Sequence, residues 1–420
     1  MIQRTMLDNG IRVLSEDVPG CHSVSLGVWV NNGSRHEPVA LNGISHFVEH
    51  MLFKGTERRT AHSVAREVDS VGGLLNGFTS REFSCYFVKI LAEKLPMAVD
   101  LLGDMICHSR FSPDDIEKER RVILQEIAMI EDSPEDLIHD QFTHAFWAGH
   151  TLGMPVIGSR DTVDDLDRQQ LLAFMEDRYV GHNLCVVAAG CVDHEQLVGL
   201  VEESFGDRPA SGVQQDDVAP VVTRKIVVTR RELEQAQVCL GVEGLPQNHP
   251  DRYATYLLNT ILGGNMSSRL FQKVREELGL AYSVYSYHHN HSDSGAFIVY
   301  AGVAAEEAPL VARTILDEMT RMRLTMVTPD ELQSAKDFLK GSMLLSMEST
   351  DNRMTRLAKN ELFLRDLGTS LEESRDMIDA VTAESVQSLA ARLFINETLN
   401  IQVAGRVDPA DFPDSDMLLG

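Results

Sequence analysis

No apolar run in this 420-residue chain approaches the ~20 residues that a helix needs to cross a bilayer, so no membrane-spanning helix is expected. Basic charge is also short. Lys and Arg number 38 against 63 Asp and Glu, a formal net charge of −25, which disfavours nucleic acid as a partner and suits a basic peptide. The opening residues, Met1-Ile2-Gln3-Arg4-Thr5-Met6-Leu7-Asp8, have neither the basic-then-apolar build of a signal peptide nor the Arg/Ser-rich build of a transit peptide. A cytoplasmic protein is therefore expected. The six cysteines (Cys21, Cys85, Cys107, Cys185, Cys191 and Cys239) form no CxxC pair and mostly sit in apolar runs. Buried free thiols in a reducing compartment are the expectation, not a disulfide framework.

What the chain does have is the composition of a folded globular protein, 43% hydrophobic and 24% charged, and more length than one core ordinarily uses. Its halves resemble each other. Residues 183–193 (Asn-Leu-Cys-Val-Val-Ala-Ala-Gly-Cys-Val-Asp) recur as residues 398–408 (Thr-Leu-Asn-Ile-Gln-Val-Ala-Gly-Arg-Val-Asp), an offset of 215 (398 − 183). Arg160-Asp161 and Arg375-Asp376 keep that offset, Leu26-Gly27-Val28 recurs as Leu240-Gly241-Val242 at 214, and Ser112-Pro113-Asp114 as Thr328-Pro329-Asp330 at 216. Four matches in one order argue for a duplicated domain. The expected division is 1–205, a polar, breaker-rich linker over 206–223, and 224–420. Alternating runs at 24–30, 83–88 and 184–188 read as strands, and 61–71, 95–107, 113–130 and 308–321 as amphipathic helices. The order lacks a βαβ rhythm. The predicted class is α+β, two tandem homologous domains with helices packed on a largely antiparallel sheet in each.

The chemistry concentrates in Gly43-Ile44-Ser45-His46-Phe47-Val48-Glu49-His50-Met51-Leu52-Phe53, a helix-like segment with Asn42 or Ser45 near its start. On a helix His46 and His50 project from one face, where two neutral imidazoles suit a zinc ion. Glu49 lies on the same side, in reach of a water on that ion. The order His-x-x-Glu-His inverts the common zinc-protease motif; the bland alternative is two partly buried histidines at a helix end. A catalytic zinc takes a third protein ligand and leaves one place open. Glu126, in the helix-like run 117–127, is the best candidate. Glu119, seven residues earlier, faces the same way and is placed to orient a ligand histidine. Adding 214 to 216 to His46, His50 and Glu126 lands near 260–262, 264–266 and 340–342, where no ligand set stands. The metal belongs to the first copy.

These residues resemble the M16 peptidase family, the inverzincins, over nearly the whole chain, and within it bacterial homologues of the mitochondrial processing peptidase β subunit. The family's third ligand is a glutamate about 76 residues beyond the second histidine, matching Glu126 (126 − 50), with an acidic residue seven before it, matching Glu119. Gly72-Gly73-Leu74-Leu75-Asn76-Gly77-Phe78-Thr79-Ser80-Arg81-Glu82 is similar to the family's substrate strand. Gly263-Gly264-Asn265-Met266-Ser267-Ser268-Arg269-Leu270-Phe271 is similar to its second-domain glycine segment, and Arg275 with Tyr282 to its Arg/Tyr pair.

The resemblance implies a zinc endopeptidase with one zinc per chain held by His46, His50 and Glu126. Glu49 would be the general base on the zinc-held water, Arg275 and Tyr282 would support the tetrahedral intermediate, and Asn76, Gly77, Phe78 and Thr79 would bind an extended peptide. It also implies a four-domain chamber, which a two-domain chain fills as a homodimer, each site combining His46, Glu49, His50 and Glu126 of one chain with Arg275 and Tyr282 of the other. The alternative is a non-catalytic scaffold subunit of the same fold. The long glycine-rich loop of non-catalytic relatives is absent from the Gly263 segment. His288, His289 and His291, adjacent in a strand-like run, read as a solvated strand end.

Overall fold

The computed structural model describes residues 1–212, 218–364 and 370–420, and the chain divides into two compact units. Unit 1 comprises Met1–Met129, Met154–Asp217 and Ser346–Gly368; unit 2 comprises Ile130–Gly153, Val218–Leu345 and Thr369–Gly420. Part of the expected linker, residues 213–217, lies outside the described residues.

Unit 1 is built on strands β1 (Ile2–Met6), β2 (Arg12–Asp17), β3 (Ser23–Val30), β4 (Leu74–Thr79), β5 (Ser84–Leu91) and β6 (Leu184–Gly190), in the spatial order β1-β2-β6-β3-β5-β4. Every neighbouring pair is antiparallel except β2 with β6. Alternation explains the layering. Val24, Leu26, Val28 and Val30 of β3 join one buried cluster with the helices Ile44–Leu52 and Leu95–Cys107, while Trp29 turns to a second cluster on the other face. β4 ends the sheet, so its outer side pairs with no strand among the described residues.

Unit 2 repeats the plan with β7 (Lys225–Arg230), β8 (Ala236–Glu243), β9 (Ala281–Asn290), β10 (Gly295–Val303) and β11 (Asn400–Gly405), ordered β7-β11-β8-β10-β9. Its single parallel pair, β7 with β11, stands where β2 with β6 stands in unit 1. The 215-residue offset carries β6 onto β11 and the helix Arg168–Arg178 onto the helix Ala383–Leu393. Gly190 and Gly405 fall on one another, each where a Cβ would strike the next strand, at Ser23 or at Ala236. The Leu26/Leu240 match, by contrast, is out of register. Leu26 pairs with Ala188, whose counterpart Val403 pairs with Val238 and not Leu240. A slip of two keeps every side chain on its face, so the hydrophobic pattern cannot reveal it.

The far face of each sheet is covered by a helix from the other half of the chain. Met354, Leu357 and Ala358, on the helix Thr350–Lys359, pack on Trp29, Cys185 and Val187 of unit 1. Ile138, Phe142 and Phe146, on the helix Pro134–Phe146, pack on Cys239, Ile298 and Tyr300 of unit 2. An offset of 216 (350 − 134) relates the two helices, so the repeats exchange equivalent elements. All six thiols are free, but only Cys85, Cys185 and Cys239 are buried; Cys191 is exposed, against the expectation of burial. No helix among the described residues is long and apolar enough to cross a membrane.

Candidate metal centre and active site

The helix Ile44–Leu52 buries Ile44, Phe47, Val48, Met51 and Leu52 and turns His46, Glu49 and His50 to its other side. Its start differs from the expected local cap. The N-cap is Gly43, at φ +96°, which has no side chain to offer. A Cβ there would lie 2.8 Å from both Gly158 Cα and the Ile157 carbonyl oxygen, so the close approach needs glycine. Glu37, 2% exposed, does the capping from outside the helix. Its carboxylate accepts the N–H groups of Gly43 and Ser45, each at 2.8 Å, and the Asn42 amide at 3.0 Å. Those backbone donors otherwise go unsatisfied at a buried helix end. Burial, opposed by these donors, pushes the Glu37 carboxyl up to about 7.

The helix Pro113–Asp132 starts where the Ser112 hydroxyl accepts the Asp115 N–H at 3.2 Å. It brings Glu119 and Glu126, two turns apart, to the histidines. Glu126 Oε2 lies 3.5 Å from His50 Nε2 and 3.8 Å from His46 Nε2, and the two rings are 4.6 Å apart. Among the described residues His46, His50 and Glu126 are the only group of three that could share an ion. Zinc bonds of ~2.0–2.1 Å at tetrahedral angles separate neighbouring donors by about 3.3 Å. The two Glu126 spacings come within about half an ångström of that, and the ligand atoms of all three residues lie within 4.8 Å of one another, so the donor set fits zinc.

The protonation states fit as well. Glu119, 5% exposed, sits 3.0 Å from His50 Nδ1 through one oxygen and 2.7 Å from Lys54 Nζ through the other. A carboxylate only accepts, so Nδ1 carries a proton, and Nε2 is the ring nitrogen that faces Glu126. Burial raises the Glu119 pKa, but the hydrogen bonds from His50 and Lys54 outweigh it and hold the carboxyl below the usual range. Burial, with His50 beside it, lowers His46 to about 4, so its ring is neutral, the form that ligates. Replacing Glu119 by Gln should weaken zinc binding about 10- to 100-fold, read by competition with a chromogenic chelator. Unchanged affinity would show that the charge of Glu119 does not contribute to zinc binding.

Glu49 stands apart from the three donors. Its Oε2 accepts the Thr79 hydroxyl at 2.5 Å, and burial raises its pKa against the pull of Thr79 and His50. Thr79 is the last residue of β4, and Asn76, Gly77 and Phe78 precede it in that strand. The Asn76-Gly77 pair forms strand, not a turn, and the Gly77 N–H donates to Asn76 Oδ1 at 2.8 Å. Asn76 and Phe78 are on the face opposite Thr79, Phe78 with its ring edge-on to Trp29 at 5.7 Å. In unit 2 the structure brings Arg275 and Tyr282 together, the guanidinium 5.0 Å from the centre of the Tyr282 ring, which is 76% exposed.

The histidines expected at a solvated strand end are packed instead. His288 stacks on Tyr256 at 5.0 Å, and burial lowers its pKa to about 4; His291 is buried, edge-on to Trp147. Sequence reasoning missed Glu37 and Lys54. No sequence signal pointed to Glu37, because Asn42 and Ser45 offered a local cap and only the structure shows Gly43 at the N-cap.

Two histidines and a glutamate converging from two helices, with a partly buried carboxylate beside them that accepts the Thr79 hydroxyl, form an arrangement that fits the metallopeptidase class of protein. Two family models match the sequence: "Insulinase (Peptidase family M16)" over residues 12–160, which hold the whole ligand set, and "Peptidase M16 inactive domain" over residues 165–339. The chain is 40% identical over 397 residues to the "Uncharacterized zinc protease YmxG" of Bacillus subtilis, covering 94% of this chain and 97% of that one. A protein of Mycobacterium tuberculosis, also named an uncharacterized zinc protease, is 42% identical over 403 residues, covering 93% and 90%. A solved protease from Helicobacter pylori shares the fold, with a TM-score of 0.89 at 21% identity over 96% of this chain and 99% of that one. The chain belongs to peptidase family M16.

Proposed function

We propose that the chain is a zinc-dependent endopeptidase that hydrolyses extended, unstructured peptides inside a closed chamber, with one zinc per chain held by His46, His50 and Glu126. The observation that carries this reading is the convergence of those three donors from two helices, with Glu49 beside them and accepting the Thr79 hydroxyl. When bound, zinc polarises a peptide carbonyl and makes water acidic enough to lose a proton near neutral pH. Glu49 would take a proton from water as general base and return it to the leaving amine; burial raises its proton affinity toward what the double role needs. Glu119 holds the ring of His50, and Lys54 holds Glu119.

The unpaired outer side of β4 suits a peptide added as a further strand, with Asn76, Gly77, Phe78 and Thr79 beside it. The Gly77 N–H would exchange the Asn76 side chain for the peptide backbone. Arg275 and Tyr282 would donate hydrogen bonds to the developing oxyanion. In the family architecture implied by sequence they come from a second copy of the chain, so we infer a homodimer with two sites, working in the cytoplasm. The net charge of −25 favours basic peptides. A monomer in sizing chromatography that still cleaves would overturn the pairing.

The test is metal removal. A quenched extended peptide should be cleaved by the zinc-loaded protein, spared after chelation, and cleaved again on adding one equivalent of zinc per chain. Zinc bound with no cleavage across a peptide library would favour the scaffold, and cleavage by the metal-free protein would overturn the assignment.

A further inference from the structure

We propose that Thr79 is a positioning residue for the general base, coupling the strand that receives the peptide to the carboxylate that acts on it. The inference rests on the reading of Glu49 as base. It assigns Thr79 a different task from the substrate contact expected of it.

The geometry starts at the end of the sheet. β4 and β5 form a hairpin in which Thr79 pairs with Ser84, and its turn is closed by the Ser80 N–H donating to the Phe83 carbonyl at 2.8 Å. Glu82 in that turn makes an ion pair with Arg35 at 2.8 Å, both side chains at most 6% exposed. Arg35 also donates its backbone N–H to the Arg81 carbonyl at 2.8 Å. The backbone that carries Thr79 is thereby fixed from two directions, and a buried pair of this kind tolerates little displacement.

From that anchored position the Thr79 hydroxyl reaches Glu49 Oε2 at 2.5 Å. An ionised carboxylate has no proton to give, so Thr79 must be the donor. The β-branched side chain has few rotamers in a strand, so the hydroxyl is held in place and not recruited from a mobile set. Ser84 Oγ, 3.2 Å from Thr79 Oγ1, fills the neighbouring position and limits the hydroxyl further. One Glu49 oxygen is occupied in this way, which fixes the carboxylate rotamer and leaves the other oxygen to meet water. Charge-assisted bonds of this length are among the stronger ones. A catalytic carboxylate misplaced by a fraction of an ångström loses much of its effect. The short segment 33–37 contributes to both ends of the arrangement, with Arg35 on the hairpin turn and Glu37 on the start of the catalytic helix.

The experiment uses the full-length, zinc-loaded protein and a quenched extended peptide. Thr79→Val keeps the shape and removes the hydroxyl; Thr79→Ser keeps the hydroxyl. The expected result is a kcat about 10- to 100-fold lower for the Val variant, KM within about twofold of wild type, unchanged zinc content, and recovery to within about threefold in the Ser variant. Combined with Glu49→Gln, Thr79→Val should cause no further loss, because its effect passes through Glu49. A raised KM with unchanged kcat would make Thr79 a substrate contact and overturn the proposal. So would equal losses in the Ser and Val variants, or a full additional loss in the Glu49→Gln background. Failure of the underlying reading shows separately, as undiminished cleavage by Glu49→Gln alone.

Discussion

Glu49→Gln is expected to lower kcat on an extended peptide by about 10³-fold while KM and the zinc content stay as in wild type. The magnitude is that of a general base removed from an otherwise intact site. Gln has the size of Glu, and its amide oxygen can still accept the Thr79 hydroxyl, which lies 2.5 Å from Glu49 Oε2. What it lacks is the ability to take a proton from water and hold it. The donors His46, His50 and Glu126 are arranged without help from Glu49, through Glu119 and the two helices. Metal content measured by atomic spectroscopy should therefore be unchanged, which separates loss of the base from loss of the ion. A kcat within tenfold of wild type would place the base elsewhere and remove the role assigned here to Glu49.

The convergence of His46, His50 and Glu126 was legible because helical spacing does most of the work. His46 and His50 are one turn apart on a helix whose apolar residues mark the opposite side, and Glu119 and Glu126 are two turns apart on theirs, Glu119 beside the buried Ile116 and Ile123. The duplication was legible for the same reason, since equivalent strands and helices keep an almost constant offset. Contacts made between segments with no shared period were not. Glu37 reaches the helix across residues 38–42, and Lys54 reaches Glu119 from beyond the helix end. Nothing local marks either partner.

The exchanged helices failed to register for a different reason. Neither 134–146 nor 350–359 is among the segments assigned from sequence, and a stripe of Phe142 and Phe146 fits either of two similar sheets. Duplication makes the two destinations alike in pattern, and only packing against particular residues, Trp29 for Met354 and Cys239 for Phe142, distinguishes them. The slip of two residues at Leu240 has the same origin: a repeat of period two hides any even displacement.

Glu37 carries the other large effect, and its sign is unusual for a carboxylate. In the unfolded chain its pKa is near 4.5, and burial raises it to about 7 in the folded state. Between those values the native state holds more protons than the unfolded state, so its contribution to stability is complete below about 4.5 and is lost as pH rises through 7. The difference corresponds to about 2–3 kcal/mol between pH 5 and 8. Glu37→Gln does not titrate and can accept through only one oxygen, so it should cost stability at every pH and cost more at pH 5 than at pH 8, by that amount. Metal-free protein is the right material, because zinc binding then contributes to the stability of neither wild type nor variant. Trp29, fully buried in the same unit, reports unfolding there once the chain's second tryptophan, Trp147, is replaced by Phe. A penalty that is constant with pH would mean that Glu37 is ionised throughout, its three donors outweighing burial. A penalty larger at pH 8 than at pH 5 would mean that the helix start depends on the charge itself.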